Sequence, residues 1–175
     1  MRDRMSHLAK SCRALGVVVA ALVPAVPGAA AVADTPVVAC TTTSTWTYSP
    51  GVVLVPRPLR TSVRDEYTSC TGVVTGGTSE FTVDRTAGCL EPLAAVQESR
   101  VIRWADGRTS TFTYTVTVTS APGADVVTKT GTITGGVFAG RSAQAVQVAP
   151  AIDLARCLTA EGITRQSSAG TFTVL

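Results

Sequence analysis

The sequence predicts an all-β protein: a single antiparallel β-barrel or β-sandwich of about eight short strands, stapled by disulfides and preceded by a signal peptide. Threonine occupies 27 positions of residues 34–175, and threonine with valine, phenylalanine and tyrosine favours strands. Glycine and proline interrupt the chain every 8 to 12 residues or so, which is typical of short strands joined by turns. We find no sustained 3.6-residue period that would indicate a long helix.

The first 33 residues have the pattern of a secretory leader. Four basic side chains are followed by an apolar run over residues 14–26 and then by small residues that end at Ala33. The apolar run is too short to span a bilayer comfortably. We therefore expect two segments, a signal peptide over residues 1–33 and one all-β domain over residues 34–175, with an extracellular product and no membrane span after cleavage.

The strands are assigned from alternating apolar and polar residues. Outside the central hairpin they are predicted over residues 40–48, 60–70, 79–84, 126–134, 143–149 and 171–175. A turn is expected at residues 49–51, and residues 52–59, with two prolines, are expected to form an edge or crossing segment. A short helical turn is expected over residues 89–95 and a strand end over residues 152–157.

The central hairpin carries the clearest pattern in the chain. Phe112 and Tyr114 alternate with threonines along its second arm, and Asp106-Gly107 is a strong turn signal. A three-residue loop would place Trp104 on the same apolar face as Phe112, whereas a two-residue loop would place it among the threonines. Hydrophobicity therefore favours the three-residue loop, with the threonine row on the solvated face.

Composition excludes several kinds of chemistry. The only histidine is His7, inside the predicted leader, so residues 34–175 offer no histidine for a catalytic triad or a metal site. Asparagine is absent, and Lys129 is the only lysine after the leader. Basic and acidic residues balance after residue 33, so no general attraction to nucleic acid is expected. We predict no enzyme, no catalytic residue, no cofactor and no metal.

Four cysteines follow the leader, and an even number in an exported chain indicates disulfides. Three pairings are open, and we favour the sequential one, Cys40–Cys70 with Cys89–Cys157. Each bridge would stabilise the fold by roughly 2–4 kcal/mol, mainly by restricting the unfolded chain.

The candidate binding residues are the only basic cluster after the leader, Arg57, Arg60 and Arg64. One interpretation is a docking site for an acidic cell-wall polymer, but Asp65 and Glu66 are adjacent in sequence, and local neutralisation is the favoured interpretation. Trp46 and Trp104 are interpreted as core anchors rather than sugar-stacking platforms, because alternation places both inward. The acidic residues show no spacing typical of a catalytic pair.

Several stretches of the chain carry a family resemblance. They are residues 47–51, Cys70, residues 104–107 and 109–111, residues 130–140, residues 157–159 and Gly162. Through them the chain resembles a family of uncharacterised small secreted β-rich proteins of actinobacteria. The resemblance implies an exported single domain and supplies no activity and no site residue.

These observations predict a secreted, non-enzymatic binding or surface-associated structural module, whose partner is an extracellular protein or a cell-wall glycan. The alternative is an inhibitor of an extracellular protease or glycosidase. In that case the proline-stiffened segment over residues 52–59 would enter the active site of the target.

Overall fold

The computed structural model describes residues 36–90 and 97–175, which form a closed barrel of eight antiparallel strands. Each strand pairs with the next in sequence, and β8 pairs with β1 to close the wall. The strands are β1 Val38–Val52, β2 Arg57–Gly72, β3 Gly77–Ala87, β4 Gln97–Trp104, β5 Thr109–Ala121, β6 Ala124–Gly136, β7 Ser142–Pro150 and β8 Ile163–Val174. The prediction of an all-β fold is thus confirmed, and the architecture is a barrel. The predicted signal peptide lies outside the described residues.

The central hairpin has the predicted register. Ile102 lies opposite Ser110, and the backbone N–H of Trp104 donates to the carbonyl of Arg108 at 2.9 Å. Gly107 has a φ of 85°, the left-handed conformation that a bulged three-residue turn requires. Trp104 consequently faces the interior, and the three-residue loop is confirmed.

The two ends of the barrel differ. At the terminal end, where β1 begins and β8 ends, the interior is filled by apolar and aromatic side chains. These include Val38, Tyr67, Trp104, Phe112, Ile133, Phe172 and Val174. The aromatic rings pack edge to face or tilted; those of Phe112 and Phe172, for example, have centroids 5.5 Å apart. This end is therefore a close-packed core.

Both favoured disulfides are present, one near each end. Cys40–Cys70 joins β1 to β2 near the terminal end. Cys89–Cys157 lies at the opposite end, within a smaller apolar cluster that contains Leu59 and Ile163.

Two local predictions are wrong. Residues 49–51 do not turn the chain, because β1 continues to Val52 and its pairing with β8 shifts register between Thr47 and Val52. Residues 152–157 are not a strand end: Leu154–Cys157 is a one-turn helix, α1, capped by the Asp153 carboxylate. The segment 52–59 is not a crossing segment, because only residues 53–56 lie between β1 and β2, but its residues 57–59 pair on one side only, with β3. Most of the predicted helical turn at 89–95 lies outside the described residues.

Candidate functional site

A cavity of about 110 Å³ opens inside the barrel at the end opposite the chain termini, which we call the cavity end. The connections over residues 53–56, 122–123 and 151–162 lie at this end. The apolar part of its wall comes from six strands and the β7–β8 connection. Its members are Trp46, Tyr48, Val63, Phe81, Val83, Val116, Val118, Val127, Ala149 and Ile152. Inward positions of successive strands supply this wall, as a barrel requires.

Charged side chains form the floor of the cavity. This charged floor consists of Asp65, Glu98, Arg100 and Lys129. Asp65 on β2 is 2% exposed and accepts hydrogen bonds from the Arg100 guanidinium and the Ser44 hydroxyl. The Lys129 Nζ lies 3.8 Å from Asp65 Oδ1. A buried carboxylate thus joins β1, β2, β4 and β6 through the barrel interior. Buried charges are found when they are paired and hydrogen-bonded in this way.

A second carboxylate completes the floor. Tyr114 Oη donates to Glu98 Oε2 at 2.6 Å, and Arg100 Nη2 lies 3.4 Å from the same oxygen. The two buried cations, Arg100 and Lys129, are therefore matched by two carboxylates, Asp65 and Glu98. The charged floor is electrically balanced.

Arg100 also bridges a gap between β3 and β4. The described part of the β3–β4 ladder pairs only Gly77 and Thr78 with residues of β4, so the two strands separate towards the cavity end. Across this gap the Arg100 guanidinium stacks on the Phe81 ring, 4.3 Å from its centroid. Side-chain contacts thus replace backbone pairing along this edge of the cavity.

Lys129 is the buried amine of the site. It is 5% exposed, and its neighbours across β5 and β7 are Val116 and Ala145. Burial lowers the pKa of its amine to about 8, although Asp65 opposes this shift. Lys129 is one of the residues that line the cavity.

Burial raises the pKa of all three tyrosines, Tyr48, Tyr67 and Tyr114, so each stays a neutral phenol at physiological pH. Tyr48 lies on the cavity wall and donates to Gln166 Oε1 at 3.0 Å. The phenols therefore contribute hydrogen-bond donors but no charge.

Beside the charged floor lies a patch of neutral polar groups. Gln147 Nε2 donates to Ser44 Oγ at 2.7 Å and to Thr42 Oγ1 at 3.1 Å. Within the described residues, several buried polar atoms have no hydrogen-bond partner among protein groups. They are Ser79 Oγ, Arg100 Nε, Gln147 Oε1 and Ser168 Oγ. The interior therefore has hydrogen-bonding capacity that the protein itself does not use.

The predicted basic cluster does not reach this cavity. Arg60 pairs with Asp84 at 2.9 Å and Arg64 with Glu66 at 3.1 Å, and both arginines are exposed on the outside of the barrel. Arg57 Nε donates to the carbonyl of Gly51 at 3.0 Å. Asp65 was expected to help neutralise the cluster; instead it faces inward, because adjacent residues of a strand point to opposite faces.

The two tryptophans have different roles. Trp104 is a core anchor, 3% exposed, with its indole N–H donating to Ser110 Oγ at 2.9 Å. Trp46 faces inward as predicted, but it lies on the cavity wall and is only partly buried. The threonine row of β5 lies on the outer face.

Sequence reasoning missed the charged floor. The signal was present, because Arg100 alternates in phase with Ile102 and Trp104, and Lys129 alternates in phase with Val127 and Ile133. A charged residue at an inward strand position indicates either a buried ion pair or a site. Arg100 and Lys129 are far apart in sequence, so no local cluster indicates that they meet.

Residues 36–90 and 97–175 contain no group of three or more histidine, cysteine or acidic side chains that could hold a metal. Over the same residues, no helix has the length and apolar character needed to cross a membrane. Comparisons of the chain with protein-family models, curated proteins and solved structures found no match.

Proposed function

We propose that the protein is an exported, non-enzymatic barrel that binds a small, neutral and mostly apolar molecule in its cavity. The observation that carries this proposal is an apolar wall above a charge-balanced polar floor. Ligand sites generally combine apolar walls with a few polar groups that orient the ligand. Eight-stranded barrels have an interior that can hold one small ligand.

The size of the cavity limits the ligand. An engineered apolar cavity of about 150 Å³ holds benzene. A cavity of about 110 Å³ that is open at one end therefore suits a ligand of roughly six to ten non-hydrogen atoms. Ligands of this size bind with dissociation constants between about 10 µM and 1 mM.

The charge balance favours a neutral ligand. Arg100 and Lys129 already face Asp65 and Glu98, and Arg85 and Asp125, which also line the cavity, add one charge of each sign, so the site has no net charge to offer an anion or a cation. A neutral ligand with one hydrogen-bond acceptor could use the Lys129 ammonium without adding an unpaired charge to a buried site.

Export is supported by the leader pattern and by the two disulfides, which form and persist in oxidising environments. The non-enzymatic role is supported by the residue types that the chain contains after the leader, because histidine-dependent catalysis is excluded.

Three probes of similar size test the proposal: benzyl alcohol, benzoate and benzylammonium. We expect benzyl alcohol to bind most tightly, as measured by saturation-transfer NMR and by the rise in Tm. Ala149→Phe would fill the cavity and abolish binding. Its control is Val148→Phe, because Val148 is the outward-facing neighbour on β7 and is 51% exposed.

Absence of binding by all three probes, or equal binding to Ala149→Phe and Val148→Phe, would overturn the proposal. Tighter binding of benzoate than of benzyl alcohol would refute the argument from charge balance. Circular dichroism of both variants shows whether the barrel is intact.

A second candidate function, inhibition of an extracellular hydrolase, is favoured by the loop over residues 53–56. Hydrogen bonds hold its backbone on both sides. Leu54 N–H donates to the carbonyl of Cys157, and Cys89 N–H donates to the carbonyl of Val53. Val55 at its tip is 72% exposed. A rigid loop with an exposed apolar residue loses little entropy when it enters an active site.

A panel of extracellular proteases and glycosidases tests this candidate. Inhibition that is lost in Val55→Asp and retained in Val73→Asp would support it, since Val73 is equally apolar and 66% exposed but lies at the other end of the barrel. No inhibition across the panel would discard it.

A further inference from the structure

Lys129 lines the cavity together with Arg100 but differs from it in two properties. Its amine approaches the nearest carboxylate oxygen, on Asp65, only to 3.8 Å, and it can lose its proton. A lysine becomes a nucleophile when an apolar pocket desolvates it. Apolar residues flank Lys129, because Val116 and Ala145 lie beside it on the neighbouring strands.

We propose that Lys129 forms an imine with the carbonyl carbon of a small aldehyde or ketone ligand, so that the barrel holds this class of ligand covalently and reversibly. This inference rests on the proposed function, because it requires the cavity to admit a small neutral ligand. It adds the chemical class of the ligand and the atom that captures it.

The reaction balances without an oxidant or a reductant. The nitrogen lone pair of the neutral amine attacks the carbonyl carbon, and one N–H proton moves to the carbonyl oxygen. The resulting hydroxyl then leaves as water with the second N–H proton, as the nitrogen lone pair forms the C=N bond. One amine and one carbonyl compound thus give one imine and one water molecule.

Charged groups on β2 and β4 and a neutral phenol on β5 surround the amine and support this chemistry. Asp65 faces it from β2, Glu98 and Arg100 from β4, and the Tyr114 ring lies 5.9 Å away on β5. Glu98 lines the same cavity and can carry a proton between the nitrogen and the departing oxygen. Asp65 can neutralise the imine in its protonated form, as it does the ammonium.

The perturbed acidity of the amine increases the reactive fraction. With a pKa of about 8, half of the Lys129 amine is neutral at pH 8. An ordinary lysine is neutral in only about one molecule in 300 at that pH.

Benzaldehyde with sodium cyanoborohydride tests the proposal, since the reductant converts the protonated imine into a stable benzylamine. We expect one adduct at Lys129 by peptide mass mapping, formed at pH 7.5 at least about ten times faster than on Nα-acetyl-lysine amide. Lys129 is the only lysine of residues 34–175, so the adduct is assigned without ambiguity. Benzyl alcohol should slow its formation by competing for the cavity.

Lys129→Arg and Lys129→Met should lose the adduct, and labelling of the α-amino group should persist in both as an internal control, while circular dichroism shows that both variants are folded. Failure of Lys129 to react although benzyl alcohol binds would overturn the imine and leave the proposed function standing. Reaction no faster than that of Nα-acetyl-lysine amide would also overturn it. Failure of benzyl alcohol to bind at all would overturn the proposed function, and the imine with it.

Discussion

Asp65 holds the charged floor together, because Arg100, Lys129 and Ser44 all approach its carboxylate. Removing one partner of a buried ion pair leaves the other as an uncompensated charge, which is far more costly than losing an exposed pair. Loss of the Asp65 carboxylate should therefore destabilise the barrel strongly.

Asp65→Asn should lower the free energy of unfolding by about 3–5 kcal/mol, because two buried cations lose their shared counter-ion. Urea denaturation measures the change. The matched control is Asp84→Asn, which removes the exposed partner of Arg60 and should leave the midpoint almost unchanged. Equal effects of the two substitutions would show that the interior pair is not desolvated.

The depressed pKa of Lys129 makes stability depend on pH. Its pKa is 10.5 in the unfolded chain and about 8 in the barrel, so between these values the unfolded state binds more protons. Stability must then rise with pH through this window, by about 2 kcal/mol between pH 7 and 9.5.

Urea denaturation at several pH values checks this slope, and Lys129→Met should lack it. Above pH 10 the raised pKa of the tyrosines acts in the opposite direction, because phenols that stay protonated in the barrel ionise on unfolding. A wild-type slope equal to that of Lys129→Met would contradict the prediction.

Backbone contact between β5 and β6 leaves no room for a side chain at Gly131. A Cβ there would meet the carbonyl oxygen of Thr113 and would lie 2.6 Å from the Tyr114 Cα. Gly107 differs, because a Cβ would meet nothing within 4 Å and only its φ of 85° is unfavourable.

Gly107→Ala should therefore cost about 1–2 kcal/mol, the usual penalty of the left-handed conformation. Gly131→Ala should cost clearly more, because the β5–β6 pairing must shift to admit the methyl group. Thermal denaturation of the two variants makes the comparison. A smaller loss for Gly131→Ala would mean that the wall can move there freely.

For the whole barrel, the two disulfides constrain the unfolded chain to different extents. Cys89–Cys157 spans 68 positions of sequence and Cys40–Cys70 spans 30. Chain entropy predicts about 4 kcal/mol of stabilisation for the longer loop and slightly less for the shorter one.

The two bridges should differ more in their effect on ligand binding than in their effect on stability. Replacing both Cys89 and Cys157 by serine should weaken benzyl alcohol binding, because that bridge and the apolar cluster around it hold the cavity end. The double replacement of Cys40 and Cys70 should leave binding intact, because that bridge lies near the terminal end. Saturation-transfer NMR at a temperature where both variants are folded measures the difference.

Local periodicity was sufficient to predict the strand content and the hairpin register. Along β5 the alternation of Phe112 and Tyr114 with threonine identifies the inner face before any long-range contact is known. The turn residue Gly107 and the position of Trp104 follow from the same pattern. These features depend on residues that are neighbours in sequence, so local periodicity is enough to predict them.

Barrel closure and the cavity depend on contacts between residues far apart in sequence. Closure requires β1 to pair with β8, and alternation within each strand is the same in a barrel as in a sandwich. Asp65, Arg100 and Lys129 look unrelated along the chain; they meet because the curvature of the closed wall directs their inward side chains to one point. Alternation along each strand therefore indicates which residues face inward, whereas the closure of the wall brings particular ones together.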